Sequence, residues 1–146
     1  DSVEPFLTHS NKWAVVLALT SNEGAKDFQF LTSEGQAPLF ESVVKKCLHW
    51  GSSENLMFVV GATRSQDIAK IRELAPDHFF LVPGVGAQGG ALDEVVQYGM
   101  NADCGLLVNS SRGIIYADSS KDFAISAKKE ASKIQSAMEL HLRRFH

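Results

Sequence analysis

Apolar residues along this chain fall into short unbroken runs, separated by longer stretches in which they recur every three or four positions. The runs are Trp13 to Leu19, Leu56 to Val60, Phe79 to Val82 and Gly105 to Val108. None alternates with polar residues, the pattern of strands covered on both faces. Between them the spacing is helical. Leu39, Val43, Val44, Cys47 and Leu48 lie within Pro38 to Trp50, which Gly51 stops. Ile68, Ile71 and Leu74 form the apolar side of a helix that Ser65 can cap and that ends before Pro76. Leu92, Val95 and Val96 mark a helix ending near Gly99, and Ala127, Ala131, Ile134, Met138 and Leu142 mark a last helix from about Lys121. A short helix reaching about His9 comes first, with Asp1 or Ser2 capping it and Pro5 in its first turn. With no initiator methionine before it, the sequence reads as beginning inside a fold.

The resulting order, α-βα-βα-βα-βα, is that of an α/β protein with parallel strands joined by right-handed crossovers. A doubly wound open sheet accepts this order, and so does half of a (β/α)₈ barrel. The strand exits favour the barrel. Pro83-Gly84-Val85-Gly86-Ala87-Gln88-Gly89-Gly90 follows the third run, and glycines there let backbone N–H groups approach an anion at the start of a helix. Asn109-Ser110-Ser111-Arg112-Gly113 follows the fourth, with an arginine whose planar fork can grip two phosphate oxygens. Two consecutive anion-type exits match the last two strands of a TIM barrel, where such barrels commonly hold phosphate. The expectation is therefore that residues 1–146 are the C-terminal half of a single TIM-barrel domain: strands five to eight with their helices, plus the preceding helix.

Composition narrows the function classes. A net charge of -3 over 146 residues, with basic residues scattered except for Arg143-Arg144, gives no reason to expect a nucleic-acid surface. No apolar run approaches the roughly 20 residues of a membrane span, and no signal peptide opens the chain. Cys47 and Cys104 sit in helical and strand-like contexts, as reduced thiols acting as small hydrophobes, which fits a cytoplasmic protein. The five histidines show no ligand spacing, so no metal is expected. Arg64 reads as an ion-pairing residue and Lys128-Lys129-Glu130 as a solvated helix face.

Four segments together resemble orotidine 5′-phosphate decarboxylases, in particular the bacterial subgroup with longer loops. They are Thr20-Ser21-Asn22, Val59-Val60-Gly61-Ala62-Thr63-Arg64, Pro83 to Gly90, and Asn109-Ser110-Ser111-Arg112 leading to Ile115-Tyr116-Ala117. They occur in the right order over nearly the whole chain, and the octapeptide Pro83 to Gly90 is the most specific. Glu23 and Ser65 depart from the subgroup's more usual prolines. The resemblance implies decarboxylation of orotidine 5′-monophosphate to UMP by a homodimer, without metal or organic cofactor. It implies that Gln88, Gly89 and Arg112 take the phosphate, that Ser21 hydrogen-bonds the pyrimidine, and that Pro83 and Val85 line the base pocket.

The family's catalytic array is a Lys-x-Asp-x-Lys-x-x-Asp pattern, and no such pattern occurs in these 146 residues; Lys121-Asp122 is the nearest adjacent pair. The resemblance thus implies a phosphate- and base-binding half whose catalytic residues lie upstream of Asp1, in an N-terminal half-barrel that this half needs as partner. Two other readings stand beside it. One is another phosphate-sugar barrel enzyme of the same superfamily, such as a metal-dependent hexulose-phosphate synthase. The other is a non-catalytic half-barrel that binds a phosphate ligand or pairs with a second copy.

Overall fold

The computed structural model describes residues 1–63, 65–86 and 92–145. Its centre is a four-stranded parallel sheet, β1 (Ala14–Leu19), β2 (Leu56–Val60), β3 (Phe80–Pro83) and β4 (Leu106–Asn109), paired in sequence order. Order without reversal distinguishes it from a doubly wound sheet, in which the winding direction switches part-way. Successive right-handed crossovers in one direction place their helices on one face.

Burial follows that geometry. Phe58, Phe80 and Leu106 are register partners across β2, β3 and β4, and all three are buried. They pack beneath α3 (Leu39–Cys47), α4 (Ser65–Leu74) and α5 (Leu92–Gly99), whose Phe40, Val44, Ile68, Ile71 and Val95 complete the core. The next register row, Leu17, Val59, Leu81 and Leu107, points to the other face, where Leu17 is 55% and Leu107 44% exposed. The expectation of cover on both faces is therefore corrected: among the described residues the helices cover one face and leave Leu17 and Leu107 exposed on the other. The total accessible surface of 9190 Å² is about a quarter above what a compact monomer of 15.9 kDa exposes.

Element boundaries differ from the sequence reading where caps decide them. The first helix, α1 (Glu4–Leu7), is a single turn; its N-cap is Val3 with no side-chain cap, while Ser2 bonds Asp1 instead, so neither Asp1 nor Ser2 caps it. Ser65 is the first helical residue of α4 rather than its cap. Two short helices at strand exits carry too few residues for a periodic signal: α2 (Ala25–Phe28) after β1 and α6 (Ser111–Ile115) after β4. The last helix, α7 (Phe123–Phe145), lays the expected face down, and Met138 and Leu142 pack on the core, but none of its described residues is fully buried.

At the N-terminal ends of the strands Arg72 acts as a staple. Its Nε and Nη2 donate to the Gly99 carbonyl at 2.8 and 2.6 Å, Nη1 to the carbonyls of Ala75, Pro76 and His78, and Nη2 also to Gly105. The guanidinium lies 3.8 Å over the Phe80 ring. One side chain thereby bonds carbonyls just beyond the end of α4, at the last residue of α5 and at the entries to β3 and β4. Gly105 makes this possible, since it has φ +63° and a Cβ there would lie 2.8 Å from Arg72 Nη2.

Candidate active site

The opposite, C-terminal ends of the strands form a cleft of ≈ 330 Å³: residues of β1, β3 and β4 and of the loops that follow them line it, with Val59 of β2 in its floor. Backbone hydrogen bonds sew the exits together. Gly61 N–H donates to the Leu19 carbonyl at 2.9 Å, Ala62 N–H to Pro83 at 3.1 Å, and Gly84 N–H to Asn109 at 3.2 Å. Each loop thus leaves the sheet braced on its neighbour, and side chains from residues as distant in sequence as Ser21 and Arg112 come to one cavity.

Ser21 lies at its β1 side. Its Oγ is buried and has no hydrogen-bond partner among the described residues, an arrangement that costs free energy unless something bonds it. Pro83 ends β3 and lines the cleft with Gly84 and Val85. Gly84 and Gly86 have φ of +92° and +80°, the left-handed region where a side chain would be strained. Arg112 stands in the first turn of α6 and is exposed on the cleft wall, with no ion pair among the described residues. Of the sequence-identified site residues, Ser21, Pro83, Val85 and Arg112 are therefore brought together. Gln88 and Gly89 lie outside the described residues, as does Arg64.

Two residues of this region carry roles that the sequence reading missed. Ser110, buried between the last two exits, donates its hydroxyl to the Val85 carbonyl at 2.8 Å. Gly61 leaves the space that Ser21 fills. Neither leaves a signal in composition or periodicity, because each acts through a partner distant in sequence.

The shifted ionisations lie elsewhere. Burial lowers the Arg72 guanidinium to about 10, against the favourable pull of Asp77 and Cys104. Burial also lowers His78, whose ring nitrogens have no partner among the described residues and which packs at 5.7 Å on Phe58; Asp77 opposes this and Arg72 adds to it. Hydrogen bonds from Ser120, chiefly, hold Asp118 below the usual carboxylate range in the turn before α7. Burial raises the Cys47 thiol. Among the described residues no three His, Cys, Asp or Glu side chains group as a metal site.

Comparison with known proteins decides the family. No protein-family model matches the chain. The orotidine 5′-phosphate decarboxylase of Phocaeicola vulgatus is 54% identical over 139 residues, covering 95% of this chain and 51% of that protein. The chain belongs to the orotidine 5′-phosphate decarboxylase family. It spans about half the length of the curated relatives it matches. Among solved structures, the OMP decarboxylase of Leishmania donovani superposes with a TM-score of 0.76 at 35% identity, over 93% of this chain and 52% of that one. The UMP synthase of the same organism does so with a TM-score of 0.78 at 38% identity, over 93% of this chain and 30% of that one. The four-stranded sheet with its one-sided helices is thus about half of a decarboxylase TIM barrel. No helix of the described residues is long and apolar enough to cross a membrane.

Proposed function

We propose that these residues are strands five to eight of an orotidine 5′-phosphate decarboxylase, the half that holds phosphate and base while the other half supplies the reacting groups. The observation that carries this is the shared cleft: Ser21, Pro83, Val85 and Arg112, which has no ion pair among the described residues, line one cavity at the strand exits. The full protein then converts orotidine 5′-monophosphate to UMP and CO₂, as a cytoplasmic homodimer that uses neither metal nor organic cofactor.

In this assignment Arg112 binds the phosphate dianion together with Gln88 and Gly89. Ser21 donates to or accepts from the pyrimidine, which gives its buried hydroxyl the partner it lacks. Pro83 and Val85 pack on the base. Loss of CO₂ leaves a carbanion-like centre on the pyrimidine, which needs an adjacent ammonium to stabilise and then protonate it. Among the described residues no lysine lines the cleft, and in this reading that group belongs to the Lys-x-Asp-x-Lys-x-x-Asp array of the complementary half. What this half contributes is binding energy remote from the reacting carbon, realised as loops close on the phosphate and water is excluded. The row Leu17, Val59, Leu81 and Leu107, and the edges of β1 and β4, which pair with no further strand among the described residues, are what closure with four further strands would cover.

The test is turnover of orotidine 5′-monophosphate by the full-length protein, with titration of UMP against uridine. The nucleotide is expected to bind at least about tenfold more tightly than the nucleoside, the worth of a charge-assisted phosphate contact. Equal binding of the two would reject the phosphate assignment.

A further inference from the structure

We infer that Ser110 is a positioning residue that locks the two anion-type exits into one register, so that a substrate phosphate meets both together; this rests on the reading of the cleft proposed above. Ser110 occupies the N-cap position of α6, where a serine hydroxyl ordinarily accepts from its own helix's second or third amide. Here it makes no such bond. The hydroxyl is instead turned onto the neighbouring loop, donating to the Val85 carbonyl 25 residues away at 2.8 Å. The residue is only 8% exposed, and with His78 it makes up the buried polar residues of the described chain. A hydroxyl that gives up its local cap for a buried bond between loops is defining their relative position.

The consequence follows from peptide geometry. Because the peptide unit is planar and trans, holding the Val85 carbonyl sets the direction of the Gly86 N–H, which points the opposite way. Gly86, at φ +80°, is the last described residue before 87–91, and a Cβ on it would meet Ser110 Oγ at 3.8 Å. On the other side, Arg112 lies two residues beyond Ser110 in the first turn of α6. Beyond the β3–β4 ladder, which ends at the Pro83–Asn109 pair, the described exits are also bridged by the longer Gly84 to Asn109 backbone bond at 3.2 Å. Ser110 therefore stands between the glycine loop and the arginine, bonded to one and continuous with the other.

The experiment compares wild type, Ser110→Ala and Ser110→Thr in the full-length protein by calorimetric titration with UMP and with uridine, alongside thermal unfolding. Removing the hydroxyl is expected to weaken UMP about tenfold while leaving uridine within about twofold, and the threonine variant, which keeps a hydroxyl, is expected to restore the nucleotide preference. The inference is overturned if Ser110→Ala keeps the wild-type preference, if it loses both ligands in parallel with a fall in Tm, or if threonine behaves as alanine does. A wild-type protein that binds UMP and uridine alike would instead remove the phosphate reading itself, and this inference with it.

Discussion

Gly61 and Ser21 share a space that only glycine leaves open: a Cβ on Gly61 would lie 2.0 Å from Ser21 Oγ and 2.7 Å from the Ser21 backbone nitrogen. The side chain alone could rotate away, but the backbone contact forces the β1 exit off the β2 exit, against the Gly61 to Leu19 hydrogen bond. Gly61→Ala is therefore expected to cost about 1–3 kcal/mol of stability and to lower kcat/KM for orotidine 5′-monophosphate, since the displaced serine is the proposed base contact. Urea unfolding and steady-state kinetics check the two effects. An alanine variant with wild-type stability and kinetics would show that the contact is relieved without moving the loop.

Arg112 is exposed, unpaired among the described residues and placed on the cleft wall. Arg112→Ala is expected to raise KM and to lower kcat/KM by about 10- to 100-fold, the range for losing hydrogen bonds to a charged group. Because nothing in the described fold leans on the guanidinium, Tm should stay within a few degrees of wild type. The loss should vanish when the nucleoside orotidine replaces the nucleotide. Equal losses on both substrates would move Arg112 out of the phosphate site.

The four strands were legible because each is a short apolar run bounded by turn residues, and the half-barrel because two anion-type exits stand on neighbouring strands. The one-sided cover of the sheet was not. Leu17 and Leu107 are as apolar as Phe58 and Phe80, and an apolar run reads alike whether its second face meets a helix or stands open. In the site, Pro83 and Arg112 carry their own chemical signal. Ser110 and Gly61 do not, since a loop serine or glycine acquires its role only when folding brings Val85 or Ser21 beside it. Arg72 shows the same limit: it lies among the polar positions of α4, yet its charged head is drawn inward by five different carbonyls.

That inward-turned guanidinium yields a stability prediction independent of the active site. Arg72→Met keeps much of the aliphatic stem but takes the guanidinium donors away from the carbonyls of Gly99, His78 and Gly105, of which Gly105 still accepts from the Phe80 N–H. A loss of about 3–5 kcal/mol is expected, as for breaking a buried charged network. Arg72→Lys should recover only part of it, because an ammonium lacks the planar fork that reaches two helix ends and two strand entries at once. Urea unfolding of the three proteins checks the order. A methionine variant within about 1 kcal/mol of wild type would show that water replaces the staple.

His78 sets a pH dependence whose sign can be worked out. Its pKa in the fold is lowered from 6.5, foremost by burial, so the folded protein holds the ring neutral where the unfolded chain begins to take up a proton. The unfolded state then binds more protons, and stability falls with pH below about 6.5, levelling once the folded ring also titrates. Above that range the group contributes no slope. His78→Leu removes the titration and also the two ring nitrogens that lack partners among the described residues, so it should be close to neutral at pH 7.5 and progressively stabilising relative to wild type toward pH 5. Unfolding free energies of both proteins across that interval provide the measurement. Parallel curves would mean that the imidazole is as readily protonated in the fold as in the unfolded chain.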